Sequence, residues 1–159
     1  MAIAVTPRQI HLATDHAGFA LKEVVHAWLT ARGYQVVDHG ATSFDPADNF
    51  PDFIALAAAA VSADPDTDRA IIFGGSGQGE AMLANRYSHV RAGVYYGGES
   101  TMPALVREHN DANVLSIGAR FVTEVEAQTA ILTWLETPAS SEEKYHHRIA
   151  QVEELTGTK

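Results

Sequence analysis

Cysteine is absent from the 159 residues. That excludes a disulfide framework, a Cys–His metal site and a thiol nucleophile. Positive charge is scarce: Lys plus Arg number 11 against 20 Asp plus Glu, a formal net charge of −9. Nucleic acid and anionic membrane surfaces are therefore poor main partners. A few local cations would still suffice to hold a small phosphorylated ligand. No apolar run approaches the ~18 residues of a membrane span; Ala55 to Val61 is short and alanine-rich. The first residues lack a charged segment followed by an apolar one, so no secretory signal is read and a cytoplasmic protein is expected. With 46% of residues apolar, one core forms without staples, and the length suits a single domain spanning residues 1–159.

What the chain does have is a glycine-rich turn. Ala70 to Phe73 is a short apolar run that reads as a buried strand. Four of the next six residues, Gly74 to Gly79, are glycine, so the backbone can approach a ligand closely. Ala81 to Ala84 reads as the opening of a helix. Strand, glycine turn and helix start aim backbone N–H groups at an anion. Neither common nucleotide loop fits, because Glu80 stands where the P-loop lysine or the third dinucleotide glycine belongs. The turn thus suits something other than a polyphosphate, with an acid or base in its floor. Glu80 also satisfies the ordinary preference for an acid in a first helical turn, and Ser76 could serve as an N-cap. The two are four residues apart, one too many for a capping box.

Taken in order, Gln9 to Thr14 reads as the first strand. A helix follows, with Leu21, Val24, Val25, Trp28 and Leu29 on one face. Tyr34 to Asp38 is a second strand, and His39 to Phe50 is a turn-rich loop. A helix from Pro51 to about Ala63 precedes the acidic turn Asp64 to Asp68. After the glycine turn, a helix ends near Arg86. His89 to Tyr96 reads as strand four, Thr101 to Glu108 as a helix that ends at His109, and Val114 to Ile117 as strand five. Thr123 with Glu126 forms a capping box for the next helix. Ser140 with Glu143 reads as a second box opening a C-terminal helix. Strands alternating with helices predict a doubly wound, Rossmann-like α/β fold: a five-stranded parallel sheet with helices on both faces. Ligands bind beyond the carboxyl ends of such strands. Asp15 and His16, Ser76 and Glu80, and Arg120 should therefore open on one edge.

Each polar residue has an ordinary alternative. Asp15 suits an N-cap and His16 a surface position. His109 suits a helix C-terminus, Asn110 and Asn113 suit turns, and Lys144 with Arg148 suits a solvated helix face. His11, His26, His39 and His89 show no partner spacing. Together the residues offer one base, a hydroxyl, backbone donors, a second acid, two histidines and several cations, with no cofactor or metal signature. Such a set suits proton transfer beside a carbonyl on an anionic substrate. A non-catalytic nucleotide- or phosphate-sensing α/β module stays open as the alternative.

Several blocks, in order, resemble one family: Asp15-His16-Ala17-Gly18, Asn49-Phe50-Pro51-Asp52, Gly75-Ser76-Gly77-Gln78-Gly79, Arg107-Glu108-His109-Asn110, Gly118-Ala119-Arg120 and His147-Arg148-Ile149. Over about Ile10 to Val152 the chain resembles ribose-5-phosphate isomerase B and the galactose-6-phosphate isomerase subunits. Many members carry a catalytic cysteine where Gly74 stands here; another branch uses a glutamate after the turn, which Glu80 matches. The resemblance implies a cofactor-free aldose–ketose isomerase of a sugar phosphate, with Glu80 moving a proton between C1 and C2 through an enediolate. It implies that Ser76 and the turn Gly75, Gly77, Gln78 and Gly79 bind the substrate and steady the oxyanion. His109 would assist ring opening and Asp15 would handle hydroxyl protons. His16, Arg120, Lys144 and Arg148 would hold the phosphate and Asn110 the sugar. It also implies a homodimer or homotetramer with shared active sites. Lys144 replaces a common arginine, Tyr145-His146-His147 a more usual His-Gln-Arg run, and Phe50 a common tyrosine. These departures bear on the substrate more than on the reaction.

Overall fold

The structure is a computed structural model and describes residues 6–157. Its strands are β1 (Ile10–Thr14), β2 (Val36–Asp38), β3 (Arg69–Gly74), β4 (Ala92–Tyr95) and β5 (Val114–Gly118). All pair in parallel, in the order β2-β1-β3-β5-β4. Every residue of the three central strands is buried, which is why they read as near-continuous apolar runs rather than alternating ones.

Alternation along each strand splits those residues between two cores. Leu12, Ile71, Phe73, Leu115 and Ile117 face one, with Val25 and Leu29 of α1 (Phe19–Ala31) and Ala127, Ile131 and Trp134 of α5 (Glu124–Glu136). Val106 of α4 (Met102–Asn110) packs on the same core. Ala13, Ile72 and Val114 face the other, against Ile54, Ala57 and Val61 of α2 (Phe50–Ala63) and Ala84 of α3 (Gln78–Ala84). The alanines of α2 let that helix lie close to the sheet. The last helix, α6 (Glu143–Thr156), packs against α4 and buries none of its residues. Among the charged side chains that are buried, Lys22 of α1 is fully so, bound to Asp38 at the end of β2 and to Glu23.

Several boundaries differ from the sequence reading, each for a local reason. β2 is only three residues long because the Tyr34 amide donates back to Leu29 O at the end of α1. β4 starts at Ala92, not His89. His89 adopts a left-handed φ of 62°, and the amides of Arg91 and Ala92 donate to the side-chain oxygens of Asn113 and Asn85. α4 continues through His109 and Asn110 to a left-handed cap at Asp111. The Thr123–Glu126 capping box is present, but the Ser140–Glu143 box is not. Ser140 Oγ accepts from the Glu142 amide at 3.2 Å, so the helix opens at Glu143 without a side-chain cap.

Because all five strands run the same way, their carboxyl ends share one edge. The helices return in the opposite sense. The C-terminal end of α4 therefore lies at the far edge, where β4 and β5 begin, and there Arg91 donates to the carbonyls of Asn110 and Asp111.

Candidate active site

The turn after β3 is held by its neighbours. Ala119 N–H donates to Gly74 O at 2.8 Å and Arg120 N–H to Gly75 O at 3.2 Å. Ser116 Oγ donates to Gly77 O at 2.6 Å. Gly77 is the N-cap of α3 with a left-handed φ of 76°, a conformation that glycine adopts without a steric penalty. Ser76 is thus not the cap; its Oγ lies 3.4 Å from the Gln78 amide. The first helical bond is Ala81 N–H to Gly77 O, so the amides of Gln78, Gly79 and Glu80 belong to the first turn and have no partner within the helix backbone.

Glu80 follows directly, in the first turn of α3, and is 5% exposed. Its side chain folds back over the end of β3, and its carboxyl group occupies the space beside Gly74 where a Cβ would stand. Burial, joined by the nearby charge of Asp15, raises its pKa above the ordinary value; a bond from its own amide holds the rise back. Desolvation penalises the charged form of a carboxylate, and a base with a raised pKa transfers protons more effectively near neutrality.

Asp15 is also buried. It does not cap α1; its Oδ1 accepts from the Ala17 amide at 2.9 Å in an Asx turn. His16 beside it is clamped by Asp48 of the β2–α2 loop, whose Oδ1 accepts from the His16 amide at 2.9 Å and pairs with Nδ1 at 2.7 Å. That bond raises the His16 pKa, against some desolvation and with help from Asp15, and so favours a cation near the site. The Arg120 guanidinium lies along Gly75. Phe50 covers Gly79. Asp15, His16, Ser76, Glu80 and Arg120 are therefore gathered on one edge, as the strand order expects.

Asp48 was not legible as a site residue. It sits 32 positions from His16 in a loop whose composition signals only turns. Its Oδ2 is buried with no hydrogen-bond partner. Asp15, His16 and Asp48 would also be the residues to hold a metal ion, with one donor atom from each inside 4.8 Å. The His16–Asp48 bond already engages the imidazole nitrogen that faces this cluster.

The other expected residues lie elsewhere. His109 and Asn110 end α4 at the opposite edge of the sheet and line a groove of about 810 Å³ with Tyr145, Arg148, Asn85 and Arg91. His109 stacks on Tyr145, the ring centroids 4.5 Å apart and the planes at 10°. Lys144 Nζ lies over the same ring at 4.7 Å and binds Glu142 at 2.7 Å. Within one chain the length of β5 separates this group from Glu80, about 13 Å for the four steps from Val114 to Gly118. Of the histidines without an assigned role, His11 and His39 are partners: His11 Nδ1 lies 2.9 Å from His39 Nε2, and His11 Nε2 lies 3.1 Å from Asp68.

Fold and edge together define a doubly wound α/β protein with a buried acid–base group at its strand ends, walled by backbone donors and cations. The chain belongs to the Ribose/Galactose Isomerase family, whose sequence profile matches residues 10–152. It is 38% identical to ribose-5-phosphate isomerase B of Mycolicibacterium paratuberculosis over 141 residues, covering 89% of this chain and 87% of that one. The structure of ribose-5-phosphate isomerase B from Mycoplasma genitalium with bound ribulose-5-phosphate superposes with a TM-score of 0.90 at 32% identity, covering 95% and 97% of the two chains. That from Clostridium thermocellum gives 0.86 at 34% identity, covering 94% and 97%.

Proposed function

We propose that this chain interconverts ribose 5-phosphate and ribulose 5-phosphate without a cofactor. The observation that carries the reading is the Glu80 carboxyl, buried at the end of β3 with a raised pKa, beside the first-turn amides of a helix start. From the open-chain aldose, the Glu80 carboxylate takes the proton on C2. The electrons move to the C1 carbonyl oxygen and give an enediolate, and the protonated Glu80 returns the proton to C1. Ser76 and the amides of Gly77 to Gly79 stabilise the developing oxyanion, as donors fixed beforehand in a dry site do most effectively. Asp15 moves a proton between the two sugar oxygens. His16 and Arg120 hold the phosphate, Arg120 with the geometry for two parallel bonds.

The remaining groups come from a second copy in this reading. His109, Asn110, Lys144 and Arg148 sit an edge away from Glu80 in their own chain. A homodimer that sets the α4–α6 groove of one copy against the strand ends of the other would complete two sites. His109 would then open the cyclic sugar, and Lys144 and Arg148 would join the phosphate. Work in the cytoplasm fits such a chain.

The test is isomerisation of four-, five- and six-carbon sugar phosphates by wild type and Glu80→Gln. Turnover should be highest on the five-carbon pair, and the variant should lose about 10²–10⁴-fold in kcat with substrate binding retained. An unchanged kcat in the variant would reject Glu80 as the base.

A further inference from the structure

The seat of the Glu80 carboxyl is a missing side chain. A Cβ built on Gly74 falls inside 3.0 Å of Oε1, Cδ and Oε2 of Glu80, a closeness that Cβ atoms essentially never show. These are its three nearest neighbours, so the carboxyl is what first fills that volume. By contrast, a Cβ on Gly75 would meet its nearest atoms on Arg120, at 3.3 Å and beyond. Gly74 does not need to be glycine for its backbone: it pairs regularly with Gly118 at the end of the sheet, and its φ lies outside the left-handed region. What its position asks for is emptiness.

We propose that Gly74 is a positioning residue for the reaction: its bare α-carbon lets the Glu80 carboxyl lie folded over the end of β3, in place and out of water. This rests on the proposed role of Glu80 as base. With any Cβ at position 74 the carboxyl must leave this seat. The Glu80 side chain is flexible and rooted on α3, so the displacement falls on the carboxyl rather than on the sheet. A shift of roughly 1 Å in a reacting group costs on the order of 10²-fold in rate. A carboxyl moved outward also regains water, which favours its charged form. Position 74 thereby sets both the place and the acidity of a group six residues further along the chain.

The experiment is Gly74→Ala in the full chain, alone and combined with Glu80→Gln. Gly74→Ala should lower kcat about 10²-fold with KM within a few-fold, while the fold stays intact by circular dichroism and melting. The acid limb of its pH–rate profile should move to lower pH. In the Glu80→Gln background the same change should cost almost nothing more, because the carboxyl it displaces is gone. Titration of the Glu80 side chain by ¹³C NMR gives a readout free of activity: its pKa should fall toward the ordinary value in Gly74→Ala. Wild-type kcat and an unmoved Glu80 titration in Gly74→Ala would overturn the proposal. So would an equal loss in both backgrounds, which would mark a general structural effect. Full activity in Glu80→Gln alone would instead sink the base assignment, with the titration shift still reporting on the seat.

Discussion

Coexpressing Glu80→Gln and His109→Asn chains should yield active enzyme from two inactive parents. Within a chain, Glu80 lies just past Gly74 at the carboxyl end of β3, which pairs with Gly118 at the end of β5. His109 lies just before Val114, where β5 begins. The run of β5 holds them about 13 Å apart, and a group that transfers a proton must come within about 3 Å of the atom it serves. Both act on one small sugar only if they come from different chains. In a two-fold dimer each site then draws Glu80 from one copy and His109 from its partner. Each homodimeric parent is damaged in both sites. A heterodimer concentrates both lesions in one site and leaves the other whole. Random pairing makes about half of the dimers mixed, each with one good site of two, so the mixture should recover about one quarter of wild-type kcat and the isolated heterodimer about one half. The assay is isomerisation of the cyclic sugar phosphate after purification on two different affinity tags. Activity in the doubly tagged heterodimer no higher than the mean of its parents would refute the shared site, and with it the division of labour between the two edges.

Two further perturbations separate the other parts of the argument. Because the folded pKa of Glu80 is raised, its proton stabilises the fold below the ordinary value of 4.5, and that stabilisation is lost as pH rises through the folded value. Glu80→Gln has no proton to lose, so its melting temperature should equal wild type near pH 4 and exceed it near pH 8, by about 2–4 °C per kcal/mol at this chain length. A difference that does not change with pH would reject the buried-charge account. Asp48→Asn replaces the carboxylate that holds His16 cationic with a neutral amide. His16 should then lose its charge at lower pH, and KM should rise roughly two- to fivefold near pH 7.5 while matching wild type below pH 6. The corresponding pH-linked stability, present below the ordinary histidine range and lost as pH rises through the folded value, should shrink in the same variant. Superimposable KM–pH curves would show that Asp48 does not govern His16.

The layered fold was legible because its signals are local. Ala70 to Phe73 is apolar over consecutive residues because β3 is covered on both faces. Val25, Leu29 and Trp134 fall at helical spacing because α1 and α5 each bury one stripe. The strand-end rule then brought Asp15, His16, Ser76, Glu80 and Arg120 to one edge with no further information. What escaped depends on contacts between distant segments or on backbone details within a few residues. Nothing in a loop of Asp, Pro and Asn reports that Asp48 will reach His16. The Ser140–Glu143 spacing matches a capping box, but the chain turns two residues later than that spacing requires. Gly74 reads as one more flexible residue in a glycine turn, whereas its use lies in the volume it leaves for a side chain six positions on.

The two edges also differ in how freely they can change. Glu80, Asp15 and the turn around Gly77 are built into the ends of buried strands, and Ser116 of β5 is fully buried while it anchors the turn. A substitution there disturbs packing and chemistry together. α6 buries none of its residues and touches α4, with Glu153 reaching Arg91 and His89 beyond it. Lys144, Tyr145 and Arg148 can therefore vary without cost to either core, yet Tyr145 stacks on His109 and carries both cations around its ring. If the groove of one copy meets the strand ends of another, the proton-transfer group belongs to the rigid part of the fold and the grip on the substrate to an exposed helix. Departures from the family pattern at Lys144 and Tyr145 to His147 fall on that helix, so they can retune which sugar phosphate fits while leaving the Glu80 carboxyl where it is.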